Sequence, residues 1–257
     1  DTQRIGLNLN FDNTDIDAGS LPSREISDFL ASEGTIFDVL KAQAVWSRIT
    51  LNRGMFPTYG SSTDVMLQAT IPGSDLTYFK TNIRQKFYRP IGFANLVFGF
   101  NGELGYIDTY GDTKKTPFFE NFYSGGPRSI RGFESNTLGP RVTPSPCYNF
   151  NPDTEECPLL IDTDFDGTPD TIGQNPYLYQ QARDPIGGNF LIEGSLQLIF
   201  KLPIIEDQRS MRSAFFLDFG NVFSTDCQDY QINCFEPSVD ELRYSIGVGV
   251  TWITGFG

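Results

Sequence analysis

Apolar and polar side chains alternate along most of this chain, in segments of about ten residues. In residues 5–11, isoleucine, leucine and phenylalanine occupy every second position, and glycine and asparagine lie between them. The same period of two recurs at 65–71, 79–87, 96–106, 190–202, 215–219 and 242–252, with a less regular run at 41–51. Alternate side chains of a β-strand point to opposite faces. The pattern therefore predicts an all-β protein with about eight strands.

The two faces of these strands differ in a way that favours a membrane. One face is large and continuously apolar, whereas the other carries Lys, Arg, Asp and Glu, as a wet barrel lumen requires. Tyr106, Phe200 and Trp252 lie near strand ends, where an aromatic girdle would lie at the lipid–water boundary. We predict that residues 1–257 form part of one antiparallel, up-and-down transmembrane β-barrel. A soluble β-sandwich is the alternative, because apolar and polar side chains also alternate along its strands.

The connections between strands differ greatly in length. Short turns at 72–75 and 89–92 alternate with longer polar connections, as in outer-membrane barrels, where the long loops face outside. Residues 23–40 are predicted to be a short helical insertion in an outer loop, capped by Ser23 and interrupted at Gly34, with an irregular loop as the alternative. The stretch 108–187 is a long loop so rich in aromatic residues that we expect it to enter the barrel lumen.

Composition excludes several classes of function. The chain has 19 Lys and Arg against 32 Asp and Glu, a net charge of −13, so nucleic acid is not an expected partner. It contains no histidine, which excludes histidine triads and histidine metal sites. With no nucleophile–base pair and no phosphate-binding loop in the sequence, we predict that the protein is not an enzyme and uses no organic cofactor.

Four cysteines fall in two close pairs. Cys147 and Cys157 lie in one predicted loop, and Cys227 and Cys234 lie in another. Close pairs in surface loops favour two local disulfides and an oxidising compartment. Free thiols are the alternative, and a zinc site is disfavoured because the spacing is wide.

An acidic run in the long loop resembles half of a calcium-binding loop. Asp162, Asp164, Asp166 and Asp170 alternate with other residues around a glycine, so their oxygens could surround a calcium ion. Gly173 occupies the position where such loops usually have glutamate. A solvated acidic loop without calcium is the alternative.

Three motifs carry a resemblance to a known family. Residues 119–126, 130–133 and 136–140 resemble the sixth outer loop of the BamA family, the barrel subunits of the machine that inserts β-barrel proteins into the bacterial outer membrane. Residues 52–60, 70–75 and 215–222 are similar to further family segments in the same order. The family barrel has sixteen strands, so the resemblance implies that this chain supplies about the seventh to the fourteenth, as part of a longer secreted protein.

The resemblance also implies a function and partners. The expected function is folding and insertion of β-barrel proteins without enzymatic chemistry. The expected partners are unfolded outer-membrane β-barrel clients, outer-membrane lipids and the accessory lipoproteins of the assembly complex. The alternatives are an outer-membrane pore of a two-partner secretion system of the same superfamily, a passive porin, or a soluble ligand-binding barrel.

The site that the resemblance implies is the motif Ile130, Arg131, Gly132 and Phe133. In the family the corresponding arginine reaches acidic residues on the lumenal wall. Asp218 matches one of these acids, and Gln197 stands where the second is usual, with Glu193 two pleats away. We therefore expect Asp218, Glu193 and Gln197 to form the wall that anchors the loop.

Overall fold

A computed structural model describes residues 2–19, 22–92, 95–144, 180–202 and 210–253. Within these residues lie eight strands, one complete α-helix and two short 3₁₀ turns, at Phe118–Glu120 and Val239–Glu241, and residues 180–181 are also helical. The strands are β1 Thr2–Asp15, β2 Ile36–Ile49, β3 Gly60–Thr70, β4 Tyr78–Pro90, β5 Val97–Thr109, β6 Phe190–Phe200, β7 Met211–Phe223 and β8 Arg243–Trp252, and helix α1 is Arg24–Glu33.

The eight strands form one antiparallel sheet in which neighbours in sequence are neighbours in space, in the order β1 to β8. The predicted up-and-down topology is therefore confirmed. Within the described residues, β1 pairs only with β2 and β8 only with β7, so the sheet is open. No helix in the described part of the chain is long and apolar enough to cross a membrane.

One local prediction is confirmed and another needs correction. Within the run 41–51, whose alternation is less regular, residues 41–49 belong to strand β2 and pair with β1. The helix predicted over 23–40 is shorter: the Ser23 hydroxyl caps α1, the helix ends at Gly34 with φ of 96°, and residues 36–40 are already strand. Pairing with β1 overrides the helical pattern there, because tertiary context outweighs local propensity.

The outward face of the sheet is an apolar belt. On β1, the side chains Ile5, Leu7, Leu9 and Phe11 are 65–79% exposed, and on β8 the alternate side chains from Tyr244 to Trp252 are 54–84% exposed. On β6 the outward side chains run from Phe190 to Phe200. At about 3.4 Å per residue and a tilt of about 45°, that run is about 24 Å tall, close to the apolar band of a membrane barrel.

The connections divide between two edges of the sheet. Because neighbouring strands are antiparallel, connections 16–35, 71–77, 110–189 and 224–242 share one edge, called here the long-loop edge, while 50–59, 91–96 and 201–210 share the other. The turn at 72–75, expected from its length to lie opposite the long loops, is on the long-loop edge. Thr77, at the end of the connection 71–77, packs against the long loop, and its amide donates a hydrogen bond to the Thr113 hydroxyl at 2.7 Å.

The largest buried core lies on the polar face of the sheet at this edge. It joins α1 to the strand ends and to the loop between β5 and β6, and it contains Phe29, Leu30, Phe37, Val39, Leu76, Tyr78, Ile107, Phe122, Leu191 and Val222. The loop is therefore packed into the fold as part of its core.

Candidate functional site

The loop between β5 and β6 makes a tight turn before its arginine. The Gly126 carbonyl accepts from the Ser129 amide at 3.1 Å, and the Gly126 amide donates to the Ile130 carbonyl at 3.1 Å. Gly126 has φ of 100°, and a β-carbon there would lie 2.5 Å from the Ser135 hydroxyl oxygen. Only glycine fits this conformation without strain. The turn fixes the direction in which the chain leaves toward Arg131.

Arg131 is held by β7 at three points. Its backbone amide donates to Asp218 Oδ2 at 3.1 Å, its Nε donates to Oδ2 at 2.7 Å, and its Nη2 donates to Oδ1 at 2.6 Å. The guanidinium also lies 3.5 Å above the centre of the Phe216 ring. Asp218 is fully buried, whereas the Arg131 side chain is 28% exposed. The geometry is a bidentate ion pair with an additional backbone bond, stacked on an aromatic ring.

The other two predicted wall residues have different roles. Glu193 Oε2 accepts from the hydroxyls of Ser124 at 2.8 Å and Ser129 at 2.5 Å, so it holds the turn before the arginine. Gln197 donates to the Ser195 hydroxyl at 3.2 Å. Ser195 in turn accepts from Arg131 Nη2 at 3.0 Å. The second group that binds Arg131 is thus this serine, and Gln197 is connected to Arg131 through it.

Ser195 was not among the predicted residues, although its position carried a signal. It lies on the same strand face as Glu193 and Gln197, and the register of β6 on β7 places it directly opposite Asp218. Alternation gives the face of a residue, but only the register gives its partner across the sheet.

The remaining residues of the motif surround the ion pair. Ile130 is fully buried, and Gly132 has φ of 88°. A β-carbon on Gly132 would lie 3.6 Å from the Ser245 β-carbon on β8. Phe133 is half-buried. The motif thus places its apolar residue inside, its cation on β7 and its glycine against β8.

A second cluster joins the start of the loop to the opposite part of the sheet. Glu120 forms ion pairs with Lys41 on β2 at 2.6 Å and with Lys80 on β4 at 3.2 Å, and it accepts from the Tyr78 hydroxyl at 2.9 Å. Lys41 also pairs with Asp12 on β1 at 2.8 Å. Burial of the Glu120 carboxyl opposes ionisation, but the hydrogen bond from Lys41 and the charge of Lys80 outweigh it and hold the pKa of Glu120 below its ordinary value.

The sequence does not reveal this second cluster. Alternation places Lys41 and Lys80 on the polar face of their strands, yet the acid that they share is about forty residues or more away in an irregular loop. No spacing rule connects residues that only the path of the loop brings together.

One of the two predicted cysteine pairs is visible as a disulfide. Cys227 and Cys234 are bonded in the connection between β7 and β8. That connection packs on the long loop, since the Arg141 amide donates to the Asn233 carbonyl at 3.0 Å. Gln231, between the two cysteines, donates to Glu25 of α1 at 3.5 Å. The disulfide therefore lies in the layer that covers the long-loop edge.

Two other predicted features lie outside the described residues. They are the pair Cys147 and Cys157, and the calcium candidates Asp162, Asp164, Asp166 and Asp170. Within the part of the chain that the structure describes, no group of three or more metal-ligating acids or cysteines is found.

Comparison with known proteins identifies the family. The model of the Omp85 superfamily domain matches residues 1–257. The chain belongs to the Omp85 superfamily. The outer membrane protein assembly factor BamA of Neisseria meningitidis serogroup B is 30% identical to this Omp85 chain over 237 residues, which cover 84% of the chain and 25% of the relative. The predicted resemblance to BamA is thus confirmed.

A solved structure supports the fold. The crystal structure of BamA from Haemophilus ducreyi lacking POTRA domains 1–3 superposes with a TM-score of 0.71 at 22% identity, and it covers 98% of this Omp85 chain and 45% of that chain. The eight strands are therefore arranged as in part of a BamA barrel. The chain spans a quarter of the length of the Neisseria relative and less than half of the Haemophilus chain.

Proposed function

We propose that this Omp85 chain supplies the central and later strands of a barrel that folds and inserts β-barrel proteins into the bacterial outer membrane. The observation that carries the proposal is its 30% identity, over 84% of the chain, to a protein named as an outer-membrane assembly factor. The apolar belt supports a place in the membrane. The four connections gathered at the long-loop edge support an orientation in which this edge faces outside.

The function requires no enzymatic chemistry. Insertion of a strand uses backbone hydrogen bonds and the surrounding lipid, so its partners are unfolded β-barrel clients, outer-membrane lipids and the accessory lipoproteins of the assembly complex. The role of this part of the barrel is to supply a stiff wall and the loop that braces the lumen.

The ion pair between Arg131 and Asp218 gives the loop its fixed position. A carboxylate that is fully buried without a partner is costly, so Asp218 strongly favours the docked loop. The Phe216 ring, whose centre lies 3.5 Å from the Arg131 guanidinium, adds a cation–π attraction to the ion pair. The docked Arg131 binds Ser195 of β6 and Asp218 of β7, which supports a loop that lies in the lumen of the closed barrel.

The test is a charge exchange in the full-length protein, in cells depleted of their own copy. Arg131→Glu places an anion beside Asp218, and we expect outer-membrane protein levels and growth to fall. Adding Asp218→Arg restores the opposite charges but cannot accept the hydrogen bond from the residue 131 amide, so recovery should be partial. Arg128→Glu is the matched control, because Arg128 is exposed in the same turn.

The outcomes separate the alternatives. Reduced levels of many different barrel proteins support the assembly function. Loss of a single secreted protein, with the others unchanged, would indicate a two-partner secretion pore. Normal assembly in Arg131→Glu, with the variant present and folded in the membrane, would remove the ion pair from the mechanism.

A further inference from the structure

Residues 120–132, called here the strap, cross the polar face of the sheet from one side to the other. The strap contacts the strands in the order in which they lie in the sheet. Its contacts are Glu120 with Lys41 of β2 and with Tyr78 and Lys80 of β4, Phe122 with Gly105 of β5, Ser124 and Ser129 with Glu193 of β6, and Arg131 with Asp218 of β7. Gly132 then lies beside β8, where an added β-carbon would come within 3.6 Å of the Ser245 β-carbon. Lys41 extends the chain of contacts to Asp12 of β1.

The strap is long enough to be a tie between two walls. From β2 to β7 the sheet has five strand spacings of about 4.8 Å, or about 24 Å measured along the sheet. The eleven residue steps from Glu120 to Arg131 can extend to about 37 Å. The chain therefore reaches from one wall to the other, with the remaining length taken up by the turn at Gly126.

The two ends of the strap are charged and the middle is packed. Glu120 is 16% exposed, and both of its oxygens are used, Oε1 by Lys41 and Tyr78 and Oε2 by Lys80. In the middle, the Phe122 ring lies where a side chain on Gly105 would be, since a β-carbon there would come within 2.6 Å of it. Lys80 also lies 4.9 Å from the centre of that ring and binds the Glu120 carbonyl at 2.6 Å.

We infer that Glu120 is a second anchor of the loop, a positioning residue that acts in series with Arg131 to tie the wall of β1, β2 and β4 to the wall of β6, β7 and β8. The inference rests on the proposed function, and it adds the residue that holds the other end of the loop. Arg131 alone fixes the loop to one wall. With Glu120 in place as well, the strap links β2 to β7 through side chains at both ends and limits how far the two walls can move apart.

A tie in series makes a distinct prediction about double variants. Removing the charged contact at either end breaks the link between β2 and β7, so removing both should change the separation of the walls no more than removing one. Two independent local contacts should instead have effects that multiply. The comparison therefore separates a tie from two unrelated packing interactions.

The experiment uses the full-length protein in lipid vesicles with spin labels on two outward-facing positions, Leu9 of β1 and Val248 of β8. Glu120→Gln, Arg131→Gln and the double variant are compared with Glu134→Gln, which removes an exposed carboxylate from the same loop. We expect the population with a widened label distance to rise about tenfold in each single variant and no further in the double. Glu134→Gln should match the wild type.

A milder variant tests the tie in case Glu120→Gln fails to fold. Tyr78→Phe removes only the hydroxyl that donates to Glu120, and it should produce a smaller widening with normal folding. An unchanged label distance in both Glu120→Gln and Tyr78→Phe, or a double variant whose effect is the product of the two singles, would overturn the tie. Widened walls with normal assembly in cells would uphold the tie and instead overturn the link between the loop and insertion.

Discussion

Asp218→Asn should release the loop from β7 while leaving the shape of the site nearly unchanged. The carboxylate accepts three hydrogen bonds from Arg131 with its two oxygens. An asparagine amide has only one acceptor oxygen, so its NH₂ group would face a donor of the guanidinium. The substitution therefore removes the charge and also creates one unfavourable donor–donor contact.

The magnitude follows from the burial of the pair. Removing one partner of a fully buried ion pair costs about 3 to 5 kcal/mol. The Arg131 side chain is 28% exposed and can recover some hydration, so the loss should lie at the lower end, about 3 kcal/mol. That corresponds to about a hundredfold rise in the undocked population. Ser195→Ala removes one hydrogen bond of 3.0 Å, worth about 1 kcal/mol, and should raise that population about fivefold.

Undocking can be measured by thiol labelling. Ile130 is fully buried, so a cysteine at this position reacts with a charged maleimide only when the loop opens. The measurement is made on the full-length protein with Cys147 and Cys157 replaced by serine. A cysteine at exposed position 128 gives the rate without protection. The ratio of the two rates reports the open fraction in each variant.

Two results would refute this reasoning. One is a labelling rate in Asp218→Asn within twofold of the wild type, which would mean that the ion pair does not hold the loop. The other is a larger effect of Ser195→Ala than of Asp218→Asn, which would mean that the uncharged contact dominates. Either would require a different account of how residues 130–133 are fixed.

Three further predictions concern other parts of the molecule. Gly105→Ala should displace the Phe122 ring and lower assembly, whereas Gly6→Ala, where a β-carbon meets nothing within 4 Å, should be tolerated; both are scored by outer-membrane protein levels. Replacing Cys227 and Cys234 by serine should lower the free energy of unfolding by about 2 to 3 kcal/mol, because the unfolded chain gains conformational entropy. The folded and unfolded barrels migrate differently on a gel, and the variant should change from one to the other at a lower temperature. The lowered pKa of Glu120 means that its stabilisation is present above its ordinary value of about 4.5 and is lost as pH falls below it. A spin label at position 128 should therefore become more mobile in acid, and Glu120→Gln should reduce that transition, leaving the part that comes from Glu193, which binds Ser129 beside the label.

The order and type of the strands could be predicted because the lipid-facing and interior-facing positions of a membrane barrel differ in polarity along the sequence. Each strand must show apolar side chains to lipid and polar ones to the interior, so period-two alternation appears directly in residues such as Ile5 to Phe11. Each strand pairs with the strand that precedes it and the strand that follows it in the sequence. The sequence therefore indicates the meander without any knowledge of distant contacts.

Local patterns failed where distant pairing competed with them. Residues 36–40 continue the apolar positions of α1, yet they pair with β1 and become strand. The short turn at 72–75 lies on the long-loop edge because the number of strands before it decides its side. The length of the turn does not determine the edge of the sheet on which it lies.

The chemistry of the site divides in the same way. The sequence by itself determined the all-β architecture, the polar face that carries Asp218 and Glu193, and the motif that supplies Arg131. Tertiary structure alone decided that Ser195 stands opposite Asp218 and that Glu120 meets Lys41 and Lys80. The physical reason is that the alternation of a strand follows from the two surroundings of that strand, lipid on one face and the barrel interior on the other. Register and loop path are instead fixed by packing between residues far apart in the chain.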